Sequence, residues 1–482
     1  MASQLHAQIY RVPILSGPVF NNAITNQITC YNMLCFVFPE FLRRDLNLCN
    51  LSAFSHRESA SKQHKEVYGR LHTLDDFVPK KFLASYKNPC WWSVLQPPPP
   101  ELQSRLQSTR SISTPIFPRK KSLSVVNHVL KEANNRETFT CLPAIYLAGF
   151  AKSGTTTLYD YITTHPLLRR PSQKEGHFWR SLLSIPMNHT NKQMQVIWYM
   201  QHFSKAAQYI ESHPAALTID ASASTMWIGN PLYGDSDMTY DATPHQHPAN
   251  KKSPVWYENQ QNLCFVPMAV HSVLPDSKFV VIMRNPVKRL FSDFWYFCDH
   301  KNGWHGGHKV PQKYMDSAPE IFHNLTVRAI DEHRRCLLDS KQNSEALAEF
   351  DCVRRASQGY QDKDSCFPLR LGVGMYYYHI VKWMNVYPRK SFHFLRLEDM
   401  ADDHYGSVTK IWKFMGFSPI SKATFESELK KTIFNEMNWI KLPKYKDRFY
   451  MLPETEKLLN SFYEPANIKL AHLLKSDDYL WK

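Results

Sequence analysis

The chain has 482 residues, 43% of them hydrophobic and 12 of them tryptophan, which fits a large packed domain and excludes a disordered chain. Its 58 Lys and Arg against 43 Asp and Glu give a formal charge of +15, favouring polyanionic partners: nucleic acid, anionic membrane, glycosaminoglycan or a phosphorylated small molecule. The basic residues are scattered in pairs, no nucleic-acid module is visible, and the ten cysteines contain no Cys-x-x-Cys pair, so neither nucleic-acid binding nor a metal site is expected.

Residues 1–95 read as an irregular N-terminal region, rich in Asn, Cys and turn signals and ending in "YKNPCWW". No segment reaches the roughly 18 apolar residues of a membrane span. The opening residues do not read as a signal peptide, and the apolar "MLCFVFPEFL" is short and interrupted by Pro39. Residues 96–139, rich in Pro, Ser and basic side chains, read as a linker or extended segment. From 140 to 482 short apolar runs alternate with helical periodicity, the pattern of an α/β domain with a parallel sheet. Strands are expected at Ala144–Phe150, Leu217–Ala221, Phe279–Met283 and Phe392–Leu397. The first is followed by a helix with Leu158, Tyr161 and Ile162 on one face, stopping at His165-Pro166. Asn285 is placed to cap the helix after the third strand, with Pro286 at its first position and Val287, Leu290, Phe291 and Phe294 as its buried stripe. Further helices fit Met375–Val386, Tyr405–Met415 and Glu454–Leu474.

Two segments carry chemistry. In "AIYLAGFAKSGTTTLYDYITTHP" (144–166), Gly149 and Gly154 have the spacing of a nucleotide phosphate loop. Thr155 follows the second glycine, however, and Lys152 lies inside the loop, which argues against a kinase or nucleotidase. Amides around Ser153–Thr156 at a helix N-terminus make an anion site. Lys152 can reach the bridging oxygen of a phosphoanhydride, and Thr155, Thr156 and Thr157 add hydroxyl donors. A glycine turn that binds nothing is the alternative for this loop alone. In "VVIMRNPVKRLFSDFWYF", Arg284 leaves a buried strand and Ser292 follows two turns into the helix, so the pair can grip one phosphate from two sides. A solvated polar helix face is the alternative for Ser292.

Together, Lys-x-Gly-Thr-Thr after one strand and an Arg and Ser after a later one resemble the two donor-binding elements of sulfotransferases. These enzymes use 3′-phosphoadenosine 5′-phosphosulfate as sulfuryl donor. The resemblance implies a P-loop-like three-layer α/β fold, a central parallel sheet flanked by helices. It assigns the 5′-phosphosulfate to Lys152, Ser153, Gly154, Thr155, Thr156 and Thr157, and the 3′-phosphate to Arg284 and Ser292. "KEGHFW" (174–179), "DASASTMW" (220–227), "RLGVGMYYYHIVKW" (370–383) and "FLRLEDM" (394–400) are similar to blocks of the carbohydrate sulfotransferases, above all those that sulfate N-acetylgalactosamine 4-sulfate at its 6-position.

Sulfuryl transfer needs a base for the acceptor hydroxyl, screening of the sulfonate oxygens and neutralisation of the leaving phosphate. Related heparan enzymes use a glutamate in a Glu-x-His-Phe-Phe stretch, which falls on Glu175; His177 is the alternative base. Lys152 would then stabilise the leaving group and Lys174 would screen sulfonate or acceptor. Where heparan enzymes carry an acidic–Lys–Ser/Thr stretch this chain has Asp220-Ala221-Ser222, leaving Asp220 and Ser222 as acceptor contacts. Gly374 and Tyr376 match a family Gly-x-Tyr near the nucleotide. Lys444, Lys446 and Arg448 form either a late basic loop over the donor or a solvated turn. The resemblance also implies a Cys336–Cys352 disulfide; Cys90–Cys141 is a further candidate pairing from the cysteine count alone. Sequons at Asn50, Asn188 and Asn324, with ten cysteines, lean toward the secretory lumen. The resemblance implies the Golgi lumen, membrane association for which this chain offers no anchor, a sulfated glycosaminoglycan acceptor and no metal. A glycosaminoglycan-binding protein of the same fold without catalysis is the alternative function.

Overall fold

A computed structural model of the chain describes residues 77–94, 137–179, 189–227, 265–298, 317–340, 345–360, 369–432 and 450–482. Asn50, Asn188, Lys444, Lys446 and Arg448 lie outside the described residues. In chain order the strands are β1 Cys90–Val94, β2 Glu137–Cys141, β3 Ile145–Gly149, β4 Leu168–Arg169, β5 Leu217–Asp220, β6 Lys278–Met283 and β7 Phe392–Arg396. The helices are α1 Thr155–Ile162, α2 His189–His202, α3 Ser204–Ser212, α4 Phe265–Val273, α5 Pro286–Cys298, α6 Ala318–Asp339, α7 Glu345–Gln358, α8 Tyr376–Met384, α9 Leu397–Asp402, α10 His404–Met415, α11 Lys422–Thr432 and α12 Pro453–Leu474.

β3 to β7 form a five-stranded parallel sheet in the order β4-β5-β3-β6-β7. From β3 the chain runs to the edge strand β4, returns through β5 beside β3, then crosses to β6 and β7 on the other side. The winding therefore reverses between β3 and β6. The carboxyl ends of strands at such a reversal open a crevice suited to a ligand. Alternation along the strands divides the two faces. Ile145, Leu147, Ile219, Val280, Ile282 and Leu395 pack on one side with Leu158 and Ile162 of α1 and Val408, Ile411, Trp412 and Met415 of α10. The Trp412 indole is fully buried and donates to Ile162 O at 2.9 Å, so no polar atom is stranded there. The other face is aromatic: Phe279 of β6 contacts Tyr146, Trp383, Tyr387 and Phe392 at centroid separations of 4.7–5.4 Å.

Helix limits follow local chemistry. α1 ends at Ile162, before His165-Pro166, because the Thr163 and Thr164 hydroxyls donate to the carbonyls of Tyr159 and Tyr161 at 2.6 and 2.7 Å. Its buried stripe is Thr155, Leu158, Tyr159 and Ile162, an i, i+3, i+4, i+7 set that turns Tyr161 to the flank. Asn285 Oδ1 accepts from the amides of Val287 and Lys288 at 3.0 and 3.1 Å, as the sequence led us to expect.

β1 and β2 form an antiparallel ribbon with Cys90 opposite Cys141, joined by a disulfide. Neither strand was expected from sequence, since β1 lies in the region read as irregular and β2 straddles the linker boundary. The buried Asn88 latches the ribbon to the sheet: its amide donates to Leu142 O at 2.8 Å and its Oδ1 accepts from Thr218 N at 3.0 Å. A second disulfide, Cys336–Cys352, ties α6 to α7.

Candidate active site

The loop Phe150–Gly154 leaves the carboxyl end of β3 and enters α1. Ser153 N donates to Phe150 O at 3.1 Å, tightening the turn. Gly154 has φ of +85°, and a Cβ there would lie 2.6 Å from Leu397 Cδ1, so only glycine fits without displacing its neighbour. Gly154 offers no side-chain cap. The first-turn amides of α1 therefore get no side-chain cap from residue 154, and they form the helix end that favours an anion. Ser153 and Thr155 are buried, Thr157 is half-buried and Thr156 is exposed.

Arg284 arrives from the end of β6. Its Nη1 donates to Lys152 O at 3.4 Å, and its own carbonyl accepts from the Tyr376 hydroxyl at 2.7 Å. The two loops that the sequence assigned to two phosphates thus meet across the β3/β6 crevice. Burial lowers the Arg284 guanidinium, with Tyr376 and Glu398 opposing that and Arg289 adding to it. Burial likewise lowers the Lys152 ammonium to about 8; Asp293 opposes this, and Arg284, Arg370 and Arg289 reinforce it. Lys152, Arg289 and Arg370 thus share the carboxylate of Asp293 while Arg284 lies near Glu398, and a cleft with this excess of cations draws an anion. Asp293 itself is buried between Arg370, which it accepts from at 3.0 and 2.5 Å, and Arg289 at 3.3 Å. Ser292, its neighbour on α5, is half-buried.

Gly374 serves by being small: a Cβ would approach Tyr463 Cε1 at 3.0 Å and Pro286 Cβ at 3.1 Å. It lets α12 close on the start of α5 just behind Arg284. Tyr376, held neutral by burial with its hydroxyl pushed up to about 12, is bonded to the backbone of Arg284.

Glu175 sits on the segment after β4, before α2. Its carboxylate pairs with Lys174, lies 3.5 Å from His177 Nε2 and accepts from Ala223 N at 3.0 Å. Burial works to raise this carboxyl, but Lys174, His177 and the Ala223 amide together hold it below its ordinary value, so it is ionised at neutral pH. Its side chain is 30% exposed and thus open to a second substrate. His177 is turned by Ser224, whose hydroxyl lies 2.7 Å from Nδ1.

Asp220 and Ser222 were expected to touch the acceptor. In the structure they are 3% and 1% exposed. Asp220 accepts from Ser222 Oγ at 2.6 Å and from Tyr199 at 2.8 Å, and Ser222 Oγ accepts from His177 N at 2.9 Å. Their polar atoms face the protein interior and brace the Glu175–His177 segment. The candidate residues carry strained backbone: of five non-glycine residues with positive φ among the described residues, three are Lys152, Glu175 and His177.

Sequence reasoning missed Arg289, Asp293, Arg370, Glu398 and Tyr296. The i, i+4 spacing of Arg289 and Asp293 was a legible ion-pair signal. Tyr296 of α5, whose ring centroid lies 3.6 Å from Lys152 Nζ, left no such mark.

A family model described as a sulfotransferase domain matches residues 142–456. Carbohydrate sulfotransferase 15 of Mus musculus is 27% identical over 425 residues, covering 84% of this chain and 66% of that protein. The chain thus spans just under two thirds of that relative's length. The bifunctional heparan sulfate N-deacetylase/N-sulfotransferase of Drosophila melanogaster is 22% identical over 342 residues, 69% of this chain and 26% of that protein. A solved sulfotransferase from Alicyclobacillus acidocaldarius superimposes with a TM-score of 0.38 at 17% identity, over 70% of this chain and 97% of that one.

Proposed function

Since the chain belongs to the sulfotransferase family, we propose that it transfers a sulfuryl group from 3′-phosphoadenosine 5′-phosphosulfate to a sugar hydroxyl of a glycosaminoglycan. We further propose the 6-hydroxyl of N-acetylgalactosamine 4-sulfate in chondroitin or dermatan sulfate as acceptor, in line with the likeness to carbohydrate sulfotransferase 15. The observation that carries the reading is the meeting of the Lys152 loop with Arg284 at the carboxyl ends of β3 and β6, together with an ionised, partly open Glu175 on the segment after β4.

The residues present suit such a donor. The glycine hollow admits a phosphate against the α1 amides, and the surplus of buried cations is stabilised by a dianion. The donor supplies a sulfonate on a phosphate leaving group. Glu175 takes the proton of the acceptor hydroxyl as its oxygen bonds to sulfur, and Lys152 meets the charge that gathers on the departing phosphate oxygen. Arg284 and Ser292 hold the 3′-phosphate, and Lys174 screens the sulfonate. Asp220 and Ser222 act by fixing His177 and, through the Ala223 amide, Glu175.

The disulfides Cys90–Cys141 and Cys336–Cys352 support an oxidising compartment, and we place the protein in the Golgi lumen. Among the described residues no helix is long and apolar enough to cross a membrane, and no group of His, Cys, Asp and Glu is arranged to hold a metal ion. The test is incubation with radiolabelled donor and chondroitin sulfate A, followed by disaccharide analysis. Label at the 6-position supports the full proposal; label elsewhere corrects the acceptor, and no label on any glycan refutes the activity.

A further inference from the structure

Lys152 and Glu175 belong to different loops, yet Tyr296 packs against the first and feels the charge of the second. Tyr296, near the end of α5, sets its ring face under Lys152 Nζ at 3.6 Å from the centroid. Burial first, and then the negative charges of Glu175 and Asp293, keep its hydroxyl neutral. The charged groups acting on Lys152 include Asp293, Arg284, Arg370 and Arg289. Asp293 is the carboxylate among them, and Arg289 and Arg370 both pair with it. An aromatic face attracts the cation through its quadrupole and leaves the charge in place.

We infer that Tyr296 is a positioning residue: its ring holds the Lys152 ammonium at the donor loop, charged and ready for the phosphate–sulfate bridge. This rests on the sulfotransferase reading of Lys152. It assigns the work to the ring and none to the hydroxyl. Tyr296→Phe therefore keeps the function and Tyr296→Leu loses it.

The test is a double-mutant cycle on binding of adenosine 3′,5′-bisphosphate, the desulfated donor, measured by titration calorimetry with the full chain. Tyr296→Leu is expected to weaken binding about three- to tenfold when Lys152 is present, the range of a partly desolvated cation–π contact. In the Lys152→Met background the same change is expected to alter binding less than about twofold, and Tyr296→Phe is expected to match wild type. Should Tyr296→Leu not fold, Tyr296→Met, unbranched and without a ring, takes its place in the cycle. An equal loss in both backgrounds would mean a merely structural tyrosine, and a loss in Tyr296→Phe would move the role to the hydroxyl; either overturns the inference. Failure of the wild type to bind the bisphosphate would instead overturn the donor reading itself.

Discussion

Replacing Lys152 by methionine is expected to stabilise the protein while weakening donor binding. Burial lowers this ammonium from 10.5 to about 8, so the charged form opposes folding. The sign follows from linkage: the unfolded chain binds the proton more tightly, so stability rises as pH climbs from about 8 toward 10.5 and the penalty is complete below that window. The difference corresponds to about 3 kcal/mol near neutral pH. Methionine keeps most of the aliphatic packing and carries no charge. Lys152→Met is therefore expected to melt about 5 °C higher near pH 7 in the absence of ligand. Near pH 10 the gain should fall to about 1 kcal/mol, because wild-type Lys152 is by then largely neutral. Differential scanning fluorimetry across that range reads both values, and ionisations common to both proteins cancel in the comparison. A variant less stable than wild type near pH 7, with a difference that does not move with pH, would refute the buried-charge account of the loop.

Asp293→Asn leaves Arg289, Arg370 and Lys152 without their shared carboxylate and is expected to cost about 3–5 kcal/mol in urea unfolding; a loss under about 1 kcal/mol would mean the buried ion network contributes little. Arg284→Ala is expected to weaken adenosine 3′,5′-bisphosphate binding about 10- to 100-fold, the worth of a charge-assisted phosphate contact, with little change in melting temperature. Unchanged affinity would remove Arg284 from the donor site.

What the sequence revealed and what it hid divide along a physical line. The strands of the parallel sheet other than the two-residue β4, the Asn285 cap and the Lys152 loop are local features. Each depends on side-chain period, a capping residue or a glycine at a fixed offset, and each was legible within a residue or two. The β1–β2 ribbon depends on Asn88 finding Thr218 across the fold, which no local pattern announces. The same holds for Arg370 reaching Asp293 and for Tyr296 reaching Lys152. Asp220 and Ser222 illustrate the converse. A polar run after a strand reads as exposed chemistry, while in the fold its oxygens are turned inward to brace the backbone of His177. Chain-local rules name the residues near a site; only packing decides which of them meet the substrate.

The most direct test of the central claim is single-turnover transfer from radiolabelled 3′-phosphoadenosine 5′-phosphosulfate to chondroitin sulfate A, comparing wild type with Glu175→Gln. The substituted amide keeps the shape of the side chain and can still accept from the Ala223 amide, but it cannot take a proton. Transfer by the wild type, with a rate lower by about 10²- to 10⁴-fold in the variant at unchanged bisphosphate affinity, is the predicted result. Transfer at the wild-type rate by Glu175→Gln would contradict the assignment of the base, and no transfer by the wild type would contradict the reaction itself.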